Sequence, residues 1–61
     1  MDEKEMAEII RQALEAYYEN EMGEMVRINS YEDEGVMTYN EGLIVRLPDG
    51  SKFQLTIVEC R

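Results

Sequence analysis

The sequence predicts an α+β two-layer domain: an amino-terminal amphipathic helix laid across one face of a three-stranded antiparallel β-meander. Three observations carry that expectation. Apolar residues recur at helical spacing through the first third of the chain, the apolar period then changes to that of a strand, and Leu47-Pro48-Asp49-Gly50-Ser51 marks a tight hairpin. The whole chain, 1–61, reads as one α-β-β-β domain with a helix over 2–22 and strands over 25–31, 36–47 and 52–59.

In the helix, Met6, Ile9, Ile10, Ala13, Leu14 and Tyr17 form a stripe that needs covering. Glu8, Arg11, Gln12, Glu15 and Glu19 occupy the opposite face. Asp2 followed by Glu5 resembles a capping box, and the early acids suit the positive end of the helix dipole. Gly23 supplies the stop, since glycine takes the left-handed conformation that ends a helix.

Beyond Gly23, Val26 and Ile28 alternate with Arg27, Asn29 and Tyr31, the signature of a half-buried strand. Glu32-Asp33-Glu34-Gly35 reads as a short hairpin connection. That connection sets Tyr31 against Val36, Asn29 against Thr38 and Arg27 against Asn40. Leu43, Val45 and Leu47 continue the inward set, and the Pro48-Asp49-Gly50 turn then places Val45 opposite Phe53 and Leu43 opposite Leu55. Glu41 is an acid at an inward position beside Gly42, which suggests a bulge or bend at 40–42. A true turn there would give four short strands instead. The expected core is Met6, Ile9, Ile10, Ala13, Leu14, Tyr17, Val26, Ile28, Met37, Tyr39, Leu43, Val45, Leu47, Phe53, Leu55 and Ile57.

A chain of 61 residues buries only roughly 60% of the surface its unfolded form exposes, so its own core is thin. Cys60 is the single cysteine and there is no histidine. An intrachain disulfide, a Cys/His zinc site and a His-based nucleophile pair are therefore outside its means. Paired carboxylates alone need a cleft that shifts one pKa, and a two-layer domain of this size offers little room for one. Glu32-Asp33-Glu34 lacks the alternating ligands of a calcium loop. The expectation is a non-enzymatic protein with no cofactor and no metal. An acidic start, an unpaired thiol and no apolar run of membrane-spanning length point to the cytoplasm and away from a membrane.

Net charge is −8, and all of it lies in the first 35 residues. Eleven acids meet three bases up to Gly35, whereas the remainder is balanced. Such asymmetry biases the choice of partner. The leading reading is a protein-interaction module whose acidic residues Glu8, Glu15, Glu19, Glu21 and Glu24 meet a basic partner. Self-association is expected through the last strand or the outer sheet face, where Ile44, Thr56 and Val58 point away from the helix; that strand is an edge without proline or internal charge. A second reading is a single-stranded nucleic-acid-binding module using Arg27, Arg46, Lys52 and Tyr31 on the outer sheet face. A third is a small protein of purely structural role.

Overall fold

The computed structural model describes residues 1–37 and 39–60. Its elements follow the order α1 (Glu3–Tyr17), β1 (Arg27–Ser30), α2 (Tyr31–Glu34), β2 (Glu41–Arg46) and β3 (Lys52–Ile57). The strands form one antiparallel sheet in the order β1-β2-β3 with α1 packed on it, the expected α+β arrangement. Asp2 caps α1, its Oδ1 accepting from the Glu5 amide at 2.8 Å. The helix runs on as a π-helical turn, Tyr18–Met22, and stops at Gly23 in the left-handed conformation (φ 64°).

The second hairpin has the expected form. Val45 pairs with Phe53 and Leu43 with Leu55. The Leu47 amide donates to the Ser51 carbonyl at 2.9 Å, and Asp49 Oδ1 accepts from the Ser51 amide at 2.8 Å. Gly50 takes the positive φ (95°) that this turn requires.

The first hairpin differs. Arg27 pairs with Arg46, Ile28 with Val45, Asn29 with Ile44 and Ser30 with Leu43, so β1 lies beside the far half of the expected central strand. The described residues between 31 and 40 are connection, not strand. Its opening is the one-turn helix α2, capped by Ser30, whose Oγ accepts from the Asp33 amide at 3.1 Å. Three acids in that turn sit where a helix N-terminus favours negative charge. The expected pairing of Asn29 with Thr38 names a partner outside the described residues. Val36 closes the turn instead of pairing as a strand residue: its amide donates to the Tyr31 carbonyl at 2.9 Å.

Strand parity puts Ile28, Leu43 and Val45 on the α1 face, where they form the buried cluster with Ala7. Ile10, Leu14, Val26, Leu47 and Ile57 pack around it. The opposite face, at Gly42 and Ile44, belongs to α2. Tyr31, 3% exposed, lays its ring over Gly42 and its hydroxyl hydrogen-bonds Thr56 Oγ1 at 2.6 Å. The expected bend falls at Tyr39–Asn40, just before β2; Gly42 itself is neither bulge nor bend, since it pairs with Thr56 inside β2, and its missing side chain makes room for the tyrosine. A short second cover thus lies on the face expected to be bare, and Ile44 is buried there at 4% exposure.

Several expected core residues are in solvent. Met6, Ile9, Ala13 and Tyr17 are exposed because α1 is rotated about a quarter turn from the expected orientation, with Ala7, Ile10 and Leu14 facing the sheet. Met37 and Tyr39 are fully exposed in the long connection. Phe53 and Leu55 face the α1 side but stay exposed: α1 reaches β3 chiefly at its Ile57 end, where Ile57 packs against the buried cluster and the Glu59 amide bonds Glu3.

A methyl group at Gly42 would overlap Cε2 and Cζ of Tyr31 and lie 2.5 Å from the Leu55 carbonyl oxygen. Gly42→Ala is expected to cost about 1–3 kcal/mol in urea unfolding, a large share of the roughly 3–9 kcal/mol available to a chain of this length. Tyr31→Phe removes only the hydroxyl contact and should cost about 1 kcal/mol. An Ala variant as stable as the wild type would contradict the packing of Tyr31 on Gly42.

Candidate functional site

The expected acidic face divides into two parts with different electrostatics. Arg11 lies between Glu8 and Glu15 on consecutive turns, the spacing at which helical side chains meet. Its guanidinium forks onto Glu8, with Nε donating to Oε2 at 3.1 Å, and reaches Glu15 Oε1 at 2.6 Å. Gln12 also donates to Glu8, at 3.2 Å. Held chiefly by the Arg11 hydrogen bond, the Glu8 carboxyl titrates below its ordinary value, and Arg11 is raised in return. Glu8 and Glu15 are thus partly neutralised within the helix.

Further along, Glu15, Glu19 and Glu24 line a shallow groove of 360 Å³ with Met25 and Val26. The π-helical turn and the reversal at Gly23 fold Glu24 back beside Glu15 and Glu19. Glu21 does not line it. Three of the five expected acidic residues therefore converge on one groove, whose apolar lining includes the highly exposed Met25.

On the α2 side, Arg27, Arg46 and Lys52 stand in one row across the three strands, joined by the Arg27–Arg46 and Arg46–Lys52 register pairs. The expectation of one shared face for these bases is correct in parity. The aromatic member is not available to a ligand, because Tyr31 is pressed onto Gly42 and bonded to Thr56. Arg46 is occupied too: its Nη2 donates to Glu34 Oε1 at 2.5 Å, and Asn29 Nδ2 donates to Glu34 Oε2 at 3.0 Å. These bonds, with Arg46 the larger cause, hold the Glu34 carboxyl below its ordinary value and raise Arg46.

The three residues expected to mediate self-association fare differently. Ile44 is buried under α2 and cannot present a surface. Thr56 carries the Tyr31 hydroxyl contact, so replacing it would disturb the chain's own packing. Val58 is exposed, just past the end of β3.

A second depression, of 420 Å³, lies between α1 and the β1–α2 segment, with Ala7, Ile28 and Leu43 among its lining and Lys4, Glu32, Asp33 and Glu41 around it. Glu41 keeps its inward direction and lines this depression. Among the described residues, no group of His, Cys, Asp and Glu is arranged to hold a metal ion, and no helix is long and apolar enough to cross a membrane.

What sequence reading missed is an uncovered apolar surface on the other flank of α1. The Lys4–Glu8–Arg11 flank borders β1, so the Met6–Ala13–Tyr17 flank looks toward β3, with Ile9 next to it on the outer surface of the helix. There Ile9 (48% exposed) and Tyr17 (53%) lie on the same side of the sheet as Phe53 (54%) and Leu55. The Glu59 amide, just beyond β3, donates to Glu3 Oε2 at 2.8 Å and ties the two elements at one end. β3 itself is exposed at every position from Lys52 to Thr56. A signal for this was present. The apolar residues of α1 and its π-helical extension, from Ile9 and Ala16 round to Ala7 and Tyr18, spread over roughly 200° of the helix at 100° per residue, about twice the stripe one covered face needs.

The Glu34–Arg46 contact yields a pH expectation. Because the folded carboxyl titrates below its ordinary value, its contribution to stability is complete above that value and is lost as pH falls through the depressed one. The stability difference between wild type and Glu34→Gln, followed by urea unfolding across the acid range, should be constant near neutrality and vanish on acidification. A difference that grows as pH falls would contradict the contact.

Comparison with known protein families, curated proteins and solved structures finds no match for this chain.

Proposed function

We propose that this protein is a non-enzymatic interaction module that works through the open apolar face between the β3-side flank of α1 and the α1 side of β3. The observation that carries this reading is the state of β3: an edge strand exposed from Lys52 to Thr56, with Phe53 and Leu55 uncovered on the side of the sheet that α1 occupies, and Met6, Ile9 and Tyr17 uncovered on that helix. Scattered surface aliphatics need no explanation, but a contiguous apolar patch beside an unpaired strand edge is the usual mark of a contact surface. Edge strands left open in this way take up a further strand or a packed helix from a partner.

A basic partner has a separate place on the same molecule. The groove of Glu15, Glu19, Glu24 and Met25 joins negative charge to an apolar lining, which suits a basic amphipathic segment. The charge of −8 would steer such a partner in. Single-stranded nucleic acid on the α2 face is the competing reading. The row of Arg27, Arg46 and Lys52 supports it; the burial of Tyr31 and the engagement of Arg46 by Glu34 weigh against it. A cytoplasmic setting is part of the proposal and rests on the unpaired thiol.

Two measurements test the reading. In dilute solution, without a partner, Ile9→Lys and Phe53→Lys should change unfolding free energy by no more than about 0.5 kcal/mol, since both side chains already stand in water. Leu43→Ala, in the buried cluster, should cost about 2–5 kcal/mol. If Phe53→Lys costs as much as Leu43→Ala, the face belongs to the chain's own core and the reading fails. An oligonucleotide titration at low salt should show no binding. Binding that disappears with Arg27→Ala and Lys52→Ala would favour the nucleic-acid reading instead.

A further inference from the structure

We infer that the occupant of the open α1/β3 face is a second copy of this chain, and that the protein is a two-fold dimer in which the α1 flank of each copy lies on β3 of the other. The inference rests on the interaction-module reading and names its partner. Area is the first support. The chain exposes 4813 Å², whereas a compact monomer of its mass would expose about 4,100 Å². The surplus, about 700 Å², is shared between this face and the exposed Met25, Met37 and Tyr39, and is of the order of the roughly 800 Å² that each partner contributes to a standard interface. The shape agrees: the radius of gyration is 12.0 Å, against about 10.5 Å for a compact chain of this length.

Charge is the second support. Two copies each carrying −8 repel wherever their acids face one another. Glu8 and Glu15 of α1 lie on the β1-side flank, turned away from β3 and paired with Arg11; Glu3 and Glu59 border the face only at its Glu59 end, where the Glu3 carboxylate accepts from the Glu59 amide. From Met6 through Ile9 and Ala13 to Tyr17 the β3-side flank carries no charge, and Lys52 is the sole charged residue of β3. Over the middle of this face an identical copy therefore meets no opposing acid. A basic partner, by contrast, is drawn to the acid-lined groove on the other flank.

Form is the third. The face joins a ridged helix flank to a flat strand with its edge free. A two-fold axis sets ridge on strand twice over, and such isologous contact closes the assembly at two copies. It covers Phe53 and Leu55, which the chain's own helix leaves open.

Sedimentation equilibrium over a wide concentration range, paired with far-UV circular dichroism, tests the inference. Wild type is expected to pass from 7.2 kDa to twice that mass, with tighter association as salt screens the like charges. Ile9→Lys and Phe53→Lys, on the two halves of the face, should each weaken association roughly tenfold or more while retaining the wild-type spectrum. A wild type that stays monomeric up to its solubility limit overturns the second copy as occupant. In that case an environment-sensitive apolar dye decides the underlying reading: dye binding lost in Phe53→Lys leaves the open face standing for another partner, and no dye binding ends both. A dimer that survives both substitutions uses another surface and equally overturns the inference. If either variant fails to fold, its partner on the other half of the face and the salt dependence still decide, since an association weakened by salt contradicts an apolar, charge-free interface.

Discussion

One helix cannot cover three strands. An α-helix with its side chains is about 10–12 Å across and neighbouring strands lie about 4.8 Å apart, so a single helix shelters about two of them. The rest of this structure follows from that mismatch. α1 settles over β1 and β2, where Ile28, Leu43 and Val45 close around Ala7, and the small alanine side chain lets the helix sit close to the sheet. β3 is covered on that side only at Ile57, and Phe53 and Leu55 are left in water. A larger domain would add a second helix; this chain turns the remainder of its apolar surface outward on both α1 and β3, side by side.

On the other face the chain solves a smaller version of the same problem with one turn of helix. Ser30 caps α2, Tyr31 drops onto Gly42, and its hydroxyl finds Thr56, so three strands are joined across their backs by a single aromatic side chain. Glu34, from the same turn, bridges Asn29 and Arg46. The charge segregation seen in the sequence is thereby blunted. The row of bases crosses the sheet as parity requires, but its middle member is neutralised, and α1 carries its uncommitted acids toward the Gly23 end. Charge thus distinguishes the two flanks of α1 more sharply than the two faces of the sheet.

How much of this could be read from residues alone depended on how local the determining physics was. The second hairpin was fully legible because Pro48, Asp49 and Gly50 fix the turn within a few residues, and the turn fixes the register. The helix was legible as a helix, with its cap at Asp2 and stop at Gly23, but not in rotation: apolar residues spread over so wide a sector satisfy several orientations equally well, and the sheet chose the one led by Ala7. The first hairpin was misread because Glu32-Asp33-Glu34-Gly35 resembles a turn. Ser30 followed by Asp33 also matches a helix-capping pattern, and the long-range fit of Tyr31 into the gap at Gly42 decided between them. As for the candidate surface, the edge character of the last strand was foreseen. Its partnership with the flank of α1 depended on that same rotation and was not.

The most direct measurement uses the fact that Phe53 is the only phenylalanine in the chain. Replacing it biosynthetically with fluorophenylalanine gives one fluorine signal at the centre of the open face, and its relaxation by a soluble paramagnetic agent reports contact with water. Strong relaxation is expected in dilute protein, with progressive protection as concentration rises. A signal protected to the same extent at every dilution would mean that the chain's own helix covers Phe53, and that no open face exists there.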